Sequence, residues 1–226
     1  MKKTFLNTFI TCLLFNSTGL AENVKHSFKD PINDIHYNMK GTCKFQETDI
    51  LSTDISRSEN DFTLVITTKE NIKDEKNYRE FYFWLDIDPS KHNGYQPYNP
   101  HSVAWPNMFA DYRIFTSLTF NEDENKIDQR VAIQDCQTDN CSIDSGLYSN
   151  QNISVTIKNN TVTFKWPSQL IPKLDSANKF LLGITTYHQN IFCNGEDDSP
   201  QWGKNAFLIE MKNSNDSGIT HEGLLN

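Results

Sequence analysis

Apolar residues recur at every second position through most of this chain, and that period decides what it can fold into. Successive side chains of a strand point to opposite faces, so period-2 alternation marks a strand with one buried side. Asp61–Thr68 places Phe62, Leu64 and Ile66 on one face. Phe81, Phe83, Leu85 and Ile87 do the same, as do Tyr112, Ile114, Leu118 and Phe120 in Tyr112–Phe120. Val131 and Ile133 mark a short strand. Ile153, Val155 and Ile157 then alternate up to Asn159-Asn160, a hairpin turn because Asn tolerates positive φ. Val162, Phe164 and Trp166 alternate beyond it. Ser168–Leu174 reads as one helical turn, and Lys179–Tyr187 and Ala206–Met211 as the last two strands. Helical periodicity is almost absent. Many short strands with polar turns predict an all-β fold, a two-sheet antiparallel sandwich.

The ends read differently from the body. Lys2 and Lys3, a short apolar stretch over Thr4–Phe15, and the small residues Gly19 and Ala21 form an export signal, residues 1–21. Its apolar part is too short for a membrane span. The expected mature chain is one domain over residues 22–212, followed by a polar tail, 213–226. About 205 residues suit a single β-rich domain with a real core. Loss of Lys2 and Lys3 takes the formal net charge from −8 to −10. Scattered acidity leaves no footprint for nucleic acid or an anionic membrane. Four cysteines survive cleavage, an even number that implies disulfides in an exported chain. Of the three pairings, Cys136–Cys141 with Cys43–Cys193 is preferred. The first closes a tight turn, and the second joins the ends of the domain.

The longest connection carries the densest chemistry. Between Pro89 and Met108 lie about 20 residues, far beyond the usual 4–6. This loop holds Tyr95, Tyr98, His92, His101 and Trp105. Aromatic rings stack on the apolar faces of sugars, so Tyr95, Tyr98, Trp105 and Trp202 are candidate platform residues. The competing reading folds them over the end of the sandwich. Asp86 and Asp88 project together at the end of the preceding strand. Such carboxylates suit a hard cation such as calcium, yet Pro89 and the missing twelfth-position glutamate exclude an EF-hand. No histidine sits in an H-E-x-x-H spacing, and there is no G-x-S-x-G, P-loop or G-x-G-x-x-G.

Several motifs fall in the order used by one family. They are DPINDI (Asp30–Ile35), DILSTDISRSENDFTLVITT (Asp49–Thr68), FYFWLDIDPSKHNGY (Phe81–Tyr95), WPNMFADYRI (Trp105–Ile114) and DDSP (Asp197–Pro200). In this order the chain resembles the DOMON-like β-sandwich group, which includes family 9 carbohydrate-binding modules. The resemblance implies a jelly-roll-like sandwich with a sugar or haem site at one end or face. It also implies calcium near the early aspartate turn, which makes Asp30, Asp34, Asp49 and Asp111 the leading metal candidates, with Asp86 and Asp88 behind. Phe109 stands where the family often has glycine. A haem member would draw its ligands from Met39 or Met108 with His101 or His188. The expected function is therefore an exported, periplasmic or secreted, non-catalytic protein that binds carbohydrate or another small ligand and is stabilised by calcium. Its alternatives are a haem-binding electron-transfer domain, a secreted hydrolase using Asp86 or Asp88, and a structural envelope protein.

Overall fold

The alternating segments form strands. A computed structural model describes residues 24–31, 33, 35–37, 48–58, 60–72, 78–99, 102–103, 105–121, 124, 126–137, 141, 148–149, 152–189, 194–201 and 204–211. Residues 1–21, the expected export signal, and 213–226, the expected tail, fall outside them. The strands are β1 (Val24–Lys29), β2 (His36–Tyr37), β3 (Ile50–Arg57), β4 (Asp61–Thr68), β5 (Tyr78–Asp86), β6 (Tyr98–Asn99), β7 (Ser102–Val103) and β8 (Tyr112–Asn121). They continue as β9 (Lys126–Asp135), β10 (Tyr148–Ser149), β11 (Ser154–Lys158), β12 (Thr161–Pro167), β13 (Lys179–Gln189), β14 (Asn194–Ser199) and β15 (Phe207–Glu210). Two short helical turns, Ser168–Leu170 and α1 (Pro172–Ser176), bridge β12 to β13. Pro172 opens α1, where a missing N–H costs nothing. No helix among the described residues is long and apolar enough to cross a membrane.

Two antiparallel sheets face each other. The smaller runs β1-β3-β4-β12-β11 and the larger β10-β9-β8-β5-β13-β14-β2, with β15 also paired to β13. Inward residues of both sheets meet in one core. Trp166 stacks on Phe62 at 5.5 Å and on Phe83 of the opposite sheet at 5.2 Å. Phe164 meets Phe83 edge-on at 5.2 Å. Phe81, Phe83, Leu85 and Ile87 all join this core, as their spacing predicts. The β11–β12 hairpin turns at Asn159, whose φ of 55° is the left-handed conformation expected there. Lys25, Lys29 and Lys158 punctuate the two edge strands of the smaller sheet, where charge discourages pairing with another chain.

Several strands lie outside the sequence-based expectation, β1, β3 and β14 among them. GEDDS, which has no apolar alternation, is the greater part of β14, so a strand lies between the two expected to be last. It forms because its carboxylates find partners inside the fold. Asp197 Oδ2 accepts from the Ile50 amide at 2.6 Å, and Asp198 Oδ1 accepts from the Thr185 hydroxyl at 2.6 Å. The first of these bonds ties the larger sheet to the smaller.

Candidate functional site

The sandwich core covers only one face of the larger sheet. Its outer face carries the other alternate residues, and their register sets the chemistry side by side. One row runs Gln134, Arg113, Trp84, Gly183 across β9, β8, β5 and β13. The next runs Ala132, Phe115, Tyr82, Thr185, Asp198, ending on β14. A third holds Ser117, Glu80, Tyr187 and Glu196.

The long loop folds back over one end of this face. Trp105, Met108 and Ala110 pack on Trp84, Leu181 and the Cys136–Cys141 disulfide, forming a second apolar cluster. Trp105 is fully buried and donates its indole N–H to the Pro200 carbonyl at 2.9 Å. Its ring lies directly on Gly183, where an added Cβ would stand 2.6 Å from it. Trp105 is therefore a core residue of this second layer, which corrects its expected place on an exposed platform. Only a residue without a Cβ lets the indole lie that close to the sheet.

The loop is fastened at its root by carboxylates. Asp111 Oδ2 accepts from the Ile87 amide at 2.7 Å, and its other oxygen accepts from the Gln137 side chain. Asp86 Oδ2 accepts from the Phe109 amide at 3.0 Å. Tyr95 and Ala110 bridge the two loop arms through paired backbone bonds of 2.9 and 2.7 Å. Burial pushes Asp86 up to about 6, with the Asp111 charge adding to the effect and the Phe109 amide opposing it. Asp88 stands outside the strand, exposed and paired to Lys91 at 2.7 Å, which together with Ser90 lowers its pKa. The expected Asp86–Asp88 pair is thus divided, one carboxyl inside and one in solvent.

The early aspartate turn is also fastened. Both oxygens of buried Asp49 accept from the Asn33 amide at 3.1 Å, and Lys69 lies 3.5 Å from Oδ2. Asp30 is buried beside it, its amide bonded to the Leu51 carbonyl. Among the described residues, no three His, Cys, Asp or Glu side chains are placed to hold a metal ion. The carboxylates of Asp49, Asp86 and Asp111 accept from backbone amides. Asp34, His101, Trp202, Cys43, Cys193 and Met39 lie outside the described residues, as does the Tyr98 side chain. Met108 packs on the outer face of the larger sheet, whereas buried His188 continues the core-facing alternation of Phe180, Leu182 and Ile184. The sheet separates them, so these two cannot share a haem.

Beside the loop, the outer face carries half-buried Tyr82 and Tyr95 over buried Trp84 and Phe115, with polar groups among them. Tyr95 stacks on Trp84, with centroids 5.6 Å apart and planes 18° from parallel. Tyr82 meets Trp84 edge-on at 5.7 Å, and Tyr78 meets Tyr187 at 6.2 Å. Arg113 sets its guanidinium carbon 5.2 Å from the Trp84 ring, 5.4 Å from Phe115 and 5.8 Å from Tyr82. Burial lowers the Arg113 pKa against the support of Tyr82 and Glu80. Burial and then the neighbouring Glu80 push Glu196 up to about 7. Tyr82 is driven well above its ordinary range by burial and by Glu196, Asp198 and Glu80. Of the sequence-predicted platform residues whose side chains are described, Trp105 is buried on this face and Tyr95 is half-buried beside it. Tyr82, Trp84, Arg113 and Glu196 were missed. Their signal was present in Glu80, Tyr82 and Trp84, which alternate with the core residues of β5. Comparison with known proteins finds no match to this chain among family models, curated proteins or solved structures.

Proposed function

We propose that the protein is an exported, non-catalytic binding domain that holds a carbohydrate on the outer face of its larger sheet. The observation that supports this reading is the aromatic array of Tyr82, Trp84 and Tyr95, set among side chains that bond hydroxyls. The outer face of a sandwich sheet is ordinarily a solvated, polar surface. Here Tyr82 and Tyr95 stand half-buried against buried Trp84, with Glu80 and Glu196 at their margins. Apolar rings flanked by a few directional polar groups are the usual composition of a sugar site. The long loop supplies Tyr95 and walls one end of the surface.

A glycan array with the unaltered protein tests the reading. Binding to at least one oligosaccharide is expected, and Tyr95→Ala and Tyr82→Ala should each weaken it by about tenfold or more through lost stacking area. Thermal melts of both variants distinguish lost binding from lost folding. Binding to no glycan at all, by a folded sample, rejects the assignment.

A further inference from the structure

The arginine on this face has an unusual set of neighbours. Arg113 is half-buried and its guanidinium is enclosed by Trp84, Phe115 and Tyr82. Its Nε–H donates to Gln134 Oε1 at 2.7 Å, which fixes the orientation of the plane. Among the described residues, no carboxylate forms an ion pair with it. The acids of the same face are engaged elsewhere. Glu80 accepts from the Tyr78 hydroxyl, Asp198 from Thr185, and Asp86 from the Phe109 amide. Glu80 and Glu196 have their backbones in the row of Ser117, four residues along β8 from Arg113, and Glu80 acts on the guanidinium through space without an ion pair.

A guanidinium taken partly out of water ordinarily meets a carboxylate, because desolvating an unpaired cation is costly. Aromatic faces offset part of that cost. They leave the two terminal nitrogens, whose planar fork matches a carboxylate in two parallel hydrogen bonds. The Nε bond to Gln134 pre-sets that fork, so little side-chain freedom remains to be lost on binding. Tyr82 and Tyr95, both half-buried beside it, offer the apolar surface for a ring.

We propose that Arg113 receives the carboxylate of an acidic sugar, so that the ligand class of this face is the uronic acids. The inference rests on the carbohydrate reading above and narrows it. In the bound state the sugar ring lies against Tyr95 and Tyr82 while its carboxylate spans the two terminal nitrogens of Arg113.

Isothermal titration of the full chain with tetragalacturonate, tetramannuronate and their methyl esters tests this. The esters keep the sugar rings and remove the charge, adding one methyl group at each carboxyl. At least one acid should bind ~tenfold or more tighter than its ester, the range of a charge-assisted bidentate pair. The advantage should shrink as salt is raised. Arg113→Lys keeps the charge and loses the fork, so it should lose most of the preference. Should that variant fail to fold, the acid–ester comparison on the unaltered protein still decides. Equal binding of acid and ester overturns the role of Arg113 and leaves the carbohydrate reading standing. Binding of neutral glycans with none of the uronides does the same. Binding of no glycan, neutral or acidic, rejects both.

Discussion

Replacing Trp105 with alanine is expected to cost about 3–5 kcal/mol of folding free energy, the range for deleting a buried large aromatic side chain. The tryptophan is fully buried, bonded through its indole to Pro200, and packed on Gly183. Its removal empties the centre of the second apolar layer and frees the long loop from the sheet. Gly183→Ala places a methyl group 2.6 Å from the same ring. In the unaltered protein that overpacking should cost about 1–3 kcal/mol. In the Trp105→Ala background the methyl group enters the space the indole has left, so its cost should fall close to zero. Urea denaturation of the two single variants and the double variant measures the coupling. Additive costs would show that Trp105 does not lie on Gly183. A small cost for Trp105→Ala alone would show an exposed ring, as a platform role requires.

Stability should fall as pH rises from about 5 to about 8. Glu196 is held up at about 7 against an ordinary value of 4.5, and Asp86 at about 6 against 3.8. Both folded values lie above the unfolded ones. The stability linked to each group is therefore complete below the unfolded value and is lost as pH climbs through the folded value. For Glu196 the cause is burial on the outer face beside Glu80, so Glu196→Gln should flatten the upper part of the profile and leave the Asp86 step near pH 6. Thermal melts across this range check the direction. A Tm that is level or rising between pH 5 and pH 8 would contradict it.

Much of the fold was legible in period-2 alternation. Asp61–Thr68 is β4 without change of boundary, and Lys179–Tyr187 falls short of β13 by two residues. The Asn159 turn has the backbone its residue type predicts. What sequence could not show was how the larger sheet's second face would be used. Alternation identifies the buried side of a strand and treats the other as solvent. On β5 that other side is half-buried Tyr82 and buried Trp84, covered by a loop whose Trp105 docks only because Gly183, about 80 residues further on, has no side chain. The partners of the aspartates were hidden for a related reason. Composition makes Asp86, Asp111 and Asp197 look like metal ligands or turn formers. Their partners are the backbone amides of Phe109, Ile87 and Ile50, contacts that exist only once the chain is folded. Cys136–Cys141 was readable because a pair five residues apart needs only a tight turn between them, and their Cα atoms lie 4.4 Å apart.

The central claim is that the outer face of the larger sheet is a carbohydrate-binding surface. Amide and side-chain chemical shifts of ¹⁵N-labelled protein, followed during titration with neutral and uronic oligosaccharides, test it most directly. The account predicts shifts gathered on the outward residues of β5, β8 and β13 and at Tyr95, with the Arg113 Nε–H moving for the uronic ligands. Shifts confined to the smaller sheet, or none with any oligosaccharide, would contradict it.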